Sequence, residues 1–235
     1  MKKMIFVFNP RSGKEQIRSK LLDILDIFTK YGYEVSVYVT QKPLDAMQIV
    51  SRRGRGRSLV VCSGGDGTLN EVVSGLMTIE EGKRPVLGYI PSGSTNDYAS
   101  SIGISKNMKK AALDAVSGGT TAVDVGRFGE DRYFVYVAAF GAFTEVSYST
   151  PQEAKKLLGH QAYMLEAVKR VTNLKAYRMK FEWEDKVLED EFIIGMITNT
   201  IIIGGFKGLV GLDVALDDGE FEVLLVRKQI GRAHV

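Results

Sequence analysis

The segment 64–71, with the sequence GGDGTLNE, places three glycines and one aspartate between two apolar segments. The run at 59–62 before it predicts a buried parallel strand, and apolar residues at helical spacing after it predict a helix. Glycines at such a turn leave the backbone open to a bulky ligand, and the amides of a helix start favour an anion such as phosphate. Asp66 would then face phosphate groups, which is favourable if a magnesium ion lies between them. A β-hairpin with an Asp-Gly turn is the alternative, and the helical pattern that follows disfavours it.

Two further loops contain glycine, serine and asparagine and also follow predicted strands. The loop 9–14, NPRSGK, lacks the glycine and hydroxyl positions of a P-loop, and Ser12 could instead cap the next helix. In the loop 91–99, PSGSTNDYA, Asp97 could hold a cation, order a lysine or arginine, or cap a helix. Ligands bind at the carboxyl ends of the strands in open α/β sheets, so both loops are expected at the ligand-binding edge.

The composition disfavours several kinds of site. Cys62 is the only cysteine, so no intrachain disulfide can form, a reducing compartment fits, and a buried packing role is indicated. The two histidines, His160 and His234, disfavour zinc clusters and histidine-based triads. The longest uncharged stretch, 192–206, is shorter than the ~20 apolar residues of a membrane-spanning helix. A soluble cytoplasmic protein that can touch a membrane is therefore expected.

Charge is distributed unevenly along a chain whose net charge is +3. Residues 1–60 contain twelve Lys and Arg against five Asp and Glu, whereas residues 182–222 contain two against eleven. A basic N-terminal part suits anionic ligands such as nucleotide phosphates, or an anionic membrane surface. Ordinary solvated helix faces account for most of these charges, and Lys14 and Arg18 are among the candidates for membrane contact.

Strand and helix patterns alternate as far as residue 124, which predicts a parallel, doubly wound sheet. Beyond it the main predicted strands, with antiparallel pairing indicated by a short polar turn, are 133–139, 177–184 and 187–197. A helix predicted at 153–171 is either a lid or membrane-facing helix, or an amphipathic helix that covers the sheet. We therefore expect an α/β domain at 1–124 and a β-rich domain at 125–229.

These motifs together resemble the diacylglycerol kinase catalytic domain family. The segment 64–71 is similar to the signature of that family and, more loosely, to NAD kinases and 6-phosphofructokinases. The loop 91–99 resembles the pattern P-x-G-[TS]-x-N-D-[FY]-A of soluble bacterial lipid kinases, and the stretch 145–151, EVSYSTP, resembles diacylglycerol kinases of Gram-positive bacteria. The resemblance implies an NAD-kinase/6-phosphofructokinase-like nucleotide-binding α/β domain, followed by an antiparallel β-sandwich-like domain that is truncated.

The resemblance also implies which residues bind ATP and act in catalysis. The ATP-binding residues are Asn9, Pro10, Ser12, Gly13, Lys14, Thr40, Gly64, Gly65, Asp66, Gly67, Thr68, Asn70 and Ser94. The catalytic residues are Asp66 and Asp97, which would organise magnesium near the phosphates, and Asp124, which would join their network. Because phosphoryl transfer leaves little covalent work to protein groups, positioning and charge neutralisation dominate such a mechanism.

A second magnesium site is implied in the segment 212–221, LDVALDDGEF. In the family this turn is a structural site, formed by one aspartate side chain and two backbone carbonyls. The matching residues are Asp218 for the side chain and Ala215 and Glu220 for the carbonyls, and such oxygen-only ligands fit Mg²⁺. A hairpin turn without a metal is the alternative.

The implied function is ATP-dependent phosphorylation of a lipid hydroxyl, with 1,2-diacylglycerol as the expected acceptor and phosphatidic acid as the product. A peripheral position at the inner face of the membrane is expected, a homodimer is one association state to consider, and no nucleic-acid partner is expected. Two alternatives stay open: an NAD kinase-like phosphotransferase and a non-catalytic nucleotide- or lipid-binding protein. The loop 91–99 argues against the first, and the intact Asp66, Asp97 and Asp218 argue against the second.

The end of the chain departs from the family pattern. Family members continue well past residue 228 and supply an Asp-Gly-Glu motif, whose aspartate is the expected general base, so this base is expected beyond the end of the chain. The residues 230–235 do not match the family, and one reading frame of a common sequencing adapter encodes the same IGRAHV. They are interpreted as a sequence artefact, and the chain as it stands is expected to have negligible kinase activity.

Overall fold

Four parallel strands form the first sheet in this computed structural model, which describes residues 1–142, 175–203, 206–207 and 214–228. The strands are β1 (Lys2–Phe8), β2 (Tyr33–Val39), β3 (Leu59–Gly64) and β4 (Val86–Pro91). Their order across the sheet is β2-β1-β3-β4, and every pair is parallel. All six residues of β3 are buried, as expected for a strand that is covered on both faces.

Helices cover both faces of this sheet. They are α1 (Ile17–Lys30), α2 (Asp45–Arg53), α3 (Asp66–Met77), α4 (Asp97–Ser101) and α5 (Met108–Ser117). The helices α2 and α3 pack on the face that contains Ile5 and Val60, whereas α1 and α5 pack on the face that contains Phe6 and Val61. Side chains alternate between the faces along a strand, so neighbouring residues enter different cores. The doubly wound parallel sheet predicted from the sequence is confirmed.

The chain changes its winding direction at β1. Strand β2 lies on one side of β1 and strand β3 lies on the other, so successive connections leave in opposite directions. A crevice forms at such a switch point, outside the carboxyl ends of the strands, and ligands bind there in open α/β sheets. The loop after β1 and the turn after β3 both begin at this crevice.

The first compact unit consists of Met1–Tyr136 and Asn199–Glu220. Besides the α/β sheet it contains two short antiparallel pairs: β5 (Gly126–Phe128) with β6 (Arg132–Phe134), and β10 (Ile202–Ile203) with β11 (Phe206–Lys207). Strand β6 belongs here because the Ser74 hydroxyl of α3 accepts a hydrogen bond from the Tyr133 amide at 3.0 Å and donates one to the Tyr133 carbonyl at 3.3 Å. The boundary expected at residue 124 separates parts of the chain that would fold independently. It stays a prediction.

The second unit, Val137–Thr198 and Phe221–Val235, contains an antiparallel sheet in its described part. Its strands are β7 (Val137–Gly141), β8 (Tyr177–Trp183), β9 (Lys186–Thr198) and β12 (Glu222–Arg227). Strand β9 pairs antiparallel with each of the other three. The rings of Phe181 and Phe192 meet edge to face at 5.3 Å between their centroids on this sheet. The separate antiparallel sheet predicted for the C-terminal part is confirmed.

The strand predicted at 133–139 is wrong in its limits. The structure has two strands there, because β6 pairs with β5 and β7 pairs with β9. Val135 and Tyr136 lie between them and leave the ladder: Val135 is buried in the α/β core, and the Tyr136 hydroxyl donates a hydrogen bond to Asp97. The apolar run at 133–139 continues through the change of strand partner, so it gives no sign of the break.

Some predictions fall on residues that lie outside the described part of the chain. These are the helix at 153–171, the stretch 145–151 and the tail at 230–235. Among the residues that are described, no helix is both long enough and apolar enough to cross a membrane.

Candidate active site

Three loops meet at the carboxyl edge of the first sheet because glycines lie where they touch. Gly13, after β1, has a φ of +52°, and a Cβ there would collide with the carbonyl oxygen of Ser92 after β4. A Cβ on Gly93 would lie 2.6 Å from the Cα of Gly65 after β3. Without side chains at these positions, the three backbones can approach each other closely. We call this arrangement the three-loop junction, formed by residues 9–15, 64–67 and 91–96.

The strand-to-helix turn in the three-loop junction is tight. Gly64 ends β3, Gly65 is the extended N-cap residue, and Asp66 is the first residue of α3. The Gly64 carbonyl oxygen accepts hydrogen bonds from the Ser92 amide at 2.9 Å and from the Tyr89 hydroxyl at 3.2 Å. Among the described side chains none caps α3, so the amides of its first turn can bind an anion.

The carboxylate of Asp66, at the start of α3, lies in an unusual environment. Its oxygen Oδ1 is buried and has no hydrogen-bond partner among the described residues. Burial, followed by the negative charge of Asp97, raises the pKa of Asp66 to about 6, and the nearby backbone amides of Tyr98 and Asp97 offset part of the rise. A buried carboxylate oxygen without a hydrogen bond is costly, and a hard cation satisfies it. The residues present therefore fit a magnesium ion.

Asp97 is the first residue of the short helix α4. A hydrogen bond from Tyr136 and the loop before the helix both fix its position. Asp97 is only 5% exposed, and its Oδ2 accepts a hydrogen bond from the Tyr136 hydroxyl at 3.0 Å. The preceding Asn96 has a left-handed backbone with a φ of +54°, which asparagine tolerates better than most residues. The Asn96 side chain exchanges hydrogen bonds of 2.8 and 2.9 Å with the backbone of Gly93. The loop after β4 thereby fixes the start of α4 close enough to Asp66 for the two charges to interact.

The predicted ATP-binding residues outside the Gly-rich turn lie at or near the same edge. Asn9 stabilises its own loop, since its Oδ1 accepts a hydrogen bond from the Arg11 amide at 2.9 Å. The Ser12 side chain is buried, and the Thr40 amide after β2 donates to the Phe8 carbonyl at 3.0 Å. The others differ mainly in exposure: Pro10 and Gly13 are half-buried, and Lys14 and Ser94 are exposed.

The predicted residues on α3 differ in what surrounds them. A Cβ on Gly64 would collide with the side chain of Thr68, which is itself buried. The Asn70 Oδ1 lies 3.5 Å from the Val135 amide, at the limit of a hydrogen bond. Gly67 is the exception, because no described atom lies within 4 Å of a Cβ at that position. Packing therefore explains a glycine at 64 but does not explain one at 67.

Asp124 is bound to the turn that carries the implied structural magnesium site. Its Oδ2 accepts a hydrogen bond from the Gly219 amide at 2.7 Å, and its amide donates to the Leu216 carbonyl at 2.6 Å. The Asn199 side-chain amide donates to the carbonyls of Asp124 at 3.3 Å and Leu216 at 3.1 Å. The hydrogen bond that this carboxylate accepts thus comes from the turn, and its role in a network with Asp66 stays a prediction.

The implied ligands Ala215, Asp218 and Glu220 all lie in this exposed turn. The Asp218 Oδ1 accepts a hydrogen bond from the Glu220 amide at 3.0 Å. Within the described residues, no three His, Cys, Asp or Glu side chains are grouped so that they could hold a metal ion. The implied site uses one carboxylate and two carbonyls, so that finding does not bear on it, and it stays a prediction.

Two side chains that sequence analysis did not assign hold elements of the site. Glu71 accepts hydrogen bonds from the Leu44 amide at 2.9 Å and the Ala46 amide at 3.2 Å, so it binds the start of α2. Its place within GGDGTLNE was a signal of importance, but its partners depend on the tertiary fold. Tyr136, which binds Asp97, has no such signal, because no motif surrounds it.

A doubly wound sheet with glycine-rich loops at its switch point, a half-buried Asp66 and a buried Asp97 beside them defines a nucleotide-binding phosphotransferase. Residues 3–128 match the family described as the diacylglycerol kinase catalytic domain, and the chain belongs to this family.

Relatives and solved structures agree with this assignment. The chain is 34% identical over 230 residues to the diacylglycerol kinase of Bacillus subtilis, a match that covers 97% of this chain and 75% of the relative. It is 37% identical over 228 residues to the diacylglycerol kinase of Staphylococcus epidermidis, covering 97% of this chain and 71% of the relative. A crystal structure of a diacylglycerol kinase from Bacillus anthracis str. Sterne matches with a TM-score of 0.77 at 25% identity, covering 96% of this chain and 74% of that one.

Membership of this family confirms the expected enzyme class, a lipid kinase with an alcohol acceptor. A kinase family also implies ATP as the phosphoryl donor. The matches favour this class over the NAD kinase alternative that the segment 64–71 left open.

Proposed function

We propose that this protein transfers the γ-phosphoryl group of ATP to the free hydroxyl of 1,2-diacylglycerol and forms phosphatidic acid. The observation that carries the proposal is the three-loop junction, in which the Oδ1 of Asp66 is buried without a hydrogen bond among the described residues. The acceptor is inferred from the relatives, which are named diacylglycerol kinases.

The three-loop junction binds the phosphates of ATP through its backbone. The amides at the start of α3 face the anion, and the helix dipole adds partial positive charge. Gly67 leaves room on the ligand side, since no described atom lies within 4 Å of a Cβ there. Lys14, exposed at the rim of the junction, adds a full positive charge for a phosphate.

Asp66 and Asp97 would hold a magnesium ion beside these phosphates. When bound, the ion would neutralise the negative charge that the phosphoryl group carries during transfer. Asp66 offers a carboxylate oxygen that is already desolvated, and the carboxylate of Asp97 accepts a hydrogen bond from the Tyr136 hydroxyl. Asp124 contributes by stabilising the 216–219 turn through its hydrogen bonds.

The turn at 214–220 would hold a second, structural magnesium ion. The Asp218 carboxylate and the carbonyls of Ala215 and Glu220 supply oxygen ligands of the kind that Mg²⁺ prefers. This site stabilises the turn to which Asp124 is bound and takes no part in transfer.

A lipid acceptor requires peripheral contact with the inner face of the membrane. We assign the contact to the carboxyl edge of the first sheet, where Lys14 and Arg18 are exposed near the three-loop junction. The guanidinium of Arg18 is 3.6 Å from the Glu15 carboxylate, so its charge is partly balanced. Each basic residue close to an anionic bilayer contributes ~1 kcal/mol to binding. A homodimer is one association state to consider, and sedimentation equilibrium distinguishes it from a monomer.

An acceptor panel tests the function. Radiolabelled ATP is incubated with dioctanoylglycerol micelles, a lipid extract or NAD. The chain is assayed beside the full-length diacylglycerol kinase of Bacillus subtilis as the positive control, because the chain spans 75% of that protein. Label is expected in phosphatidic acid.

Asp66→Asn is expected to slow this transfer on the order of a thousandfold while the fold survives, since it removes the charge that faces the metal. Asp131→Asn, which removes an exposed carboxylate, is the matched control. Label only in NAD would establish the alternative function. Near-normal turnover by a folded Asp66→Asn variant would refute the role of Asp66.

A further inference from the structure

The Tyr136 hydroxyl makes a direct hydrogen bond to a carboxylate of the candidate active site. Its oxygen lies 3.0 Å from the Oδ2 of Asp97, a residue that is only 5% exposed. Tyr136 is itself anchored by its backbone, since its carbonyl accepts a hydrogen bond from the Asn199 amide at 3.2 Å. The tyrosine therefore meets Asp97 from a segment far from it in the sequence.

A buried carboxylate depends strongly on its donors. An ionised oxygen removed from water loses its hydration, and a hydroxyl that donates to it restores part of that energy and fixes its direction. Asp97 also acts electrostatically on Asp66, so the direction of its charge affects the neighbouring carboxylate. A substitution of Tyr136 should therefore affect the carboxylates of both Asp97 and Asp66.

The position of α4 does not depend on this hydrogen bond alone. Asn96 ties the start of the helix to Gly93, and the hydroxyls of Ser101 and Thr200 are 2.5 Å apart at its end. The helix backbone is therefore held by contacts that do not involve Tyr136. The hydrogen bond from Tyr136 therefore bears on the orientation of the Asp97 side chain.

We propose that Tyr136 is a positioning residue, which orients the Asp97 carboxylate for binding of ATP with its magnesium ion. The inference rests on the proposed function, because it assumes that Asp97 faces the bound nucleotide and metal. Tyr136 itself touches neither in this account and acts through Asp97.

A double-mutant cycle tests the proposal on the full chain. Tyr136→Phe, Asp97→Asn and the double variant are titrated with ATP by calorimetry, once with magnesium and once with EDTA. Loss of a hydrogen bond to a charged group should weaken binding of magnesium-ATP roughly tenfold in Tyr136→Phe. The same change should have little effect in the Asp97→Asn background or in EDTA, because positions that act as one unit are not additive.

Tyr133→Phe is the matched control, since the Tyr133 hydroxyl has no hydrogen bond among the described residues and lies in the same segment. It should bind magnesium-ATP like the wild type. If Tyr136→Phe fails to fold, 3-fluorotyrosine at position 136 replaces it. That variant keeps the hydroxyl as a stronger donor and should bind at least as tightly as the wild type.

Three results would overturn the proposal. The first is an equal loss of affinity from Tyr136→Phe with and without the Asp97 carboxylate, and the second is a lower melting temperature with unchanged affinity. The third is weaker binding by the 3-fluorotyrosine variant. A wild-type chain that shows no magnesium-dependent binding of ATP would overturn the proposed function as well, which separates the two failures.

Discussion

Asp66 illustrates how burial changes what a carboxylate can do. An exposed aspartate is ionised and hydrated at neutral pH, whereas burial and the charge of Asp97 raise the pKa of Asp66 to about 6. Its ionised form is thus less favourable in the folded protein than in water when no cation is present. The features that fit a magnesium ion also imply that the metal-free protein is destabilised by its own site.

In EDTA, Asp66→Asn is expected to be more stable than the wild type at neutral pH. The folded protein keeps the Asp66 proton up to a pKa of about 6, whereas an unfolded aspartate releases it near 3.8. The stability from this group is therefore fully present below pH 3.8 and is lost as the pH rises through about 6. The advantage of the variant should grow over this window to on the order of 3 kcal/mol.

Urea unfolding across this pH window measures the free energy of unfolding of both proteins. Asp131→Asn serves as the control for loss of one exposed carboxylate. An advantage of Asp66→Asn that is absent, or that is the same at every pH, would contradict the assigned environment of Asp66.

Cys62 gives a second prediction at the residue scale. Its side chain is fully buried in β3, and burial raises the pKa of the thiol. The thiolate is the reactive form of cysteine, so the native chain should not react with a thiol reagent at about pH 8. Unfolding in guanidinium should release full reactivity in the same spectrophotometric titration. Rapid reaction of the native chain would show that β3 is not a central buried strand.

The glycines of the three-loop junction have two different roles. Gly64 is required by packing, because a Cβ there would collide with Thr68. Gly93 is required by the approach of the neighbouring loop to Gly65. Gly67 has no such neighbour, although it lies in the first turn of a helix, where glycine is unfavourable. This glycine is best explained by a ligand.

Gly67→Ala should therefore separate binding from stability. The variant is expected to melt at or above the wild-type temperature, because alanine is favoured over glycine in a helix by about 1 kcal/mol. It should bind magnesium-ATP more weakly, since the new methyl group occupies the ligand side. Gly93→Ala is the comparison and should lower the melting temperature, with its Cβ placed 2.6 Å from the Cα of Gly65. If the Gly67→Ala variant binds magnesium-ATP with wild-type affinity, Gly67 does not leave room for the nucleotide.

The elements show which features could be predicted from the sequence. The parallel sheet was predictable because β3 begins with the unbroken apolar run 59–62 and helical patterns separate the strands. The meeting of the loops followed from a general rule, since carboxyl ends of parallel strands share an edge. The break at Val135 was not predictable, because the apolar run 133–139 continues across it. The partners of Glu71 and Asp124 lie 25 or more residues away, and no local pattern encodes such contacts.

At the scale of the whole molecule, the basic residues of the N-terminal part divide between two ends of one sheet. Lys14 and Arg18 lie at the carboxyl edge, near the three-loop junction. The run 52–57 lies at the opposite edge, because α2 ends there and β3 begins after it. Strand β1 has seven residues, so the two edges are roughly 20 Å apart. Docking through the run 52–57 would hold the junction away from the lipid.

Charge removal at the two ends tests the membrane contact. Lys14→Ala with Arg18→Ala should weaken binding to vesicles that contain anionic lipid by about 2 kcal/mol, roughly thirtyfold. Arg52→Ala with Arg55→Ala is the matched control, and Arg53 is left in place because it stacks on the Tyr38 ring at 5.4 Å. Co-sedimentation at rising salt measures both. Equal losses at the two ends, or binding indifferent to salt and anionic lipid, would exclude oriented electrostatic docking.

Backbone amide NMR shows whether the three-loop junction binds the phosphates of ATP with magnesium. The chain is titrated with magnesium-ATP, and the shifts of its backbone amides are followed residue by residue. We expect the largest changes at Gly13, Gly67 and Gly93 and in the first turn of α3, with loss of the magnesium dependence in Asp66→Asn. Changes centred on the run 52–57, or no change in the junction at saturating nucleotide, would contradict the account.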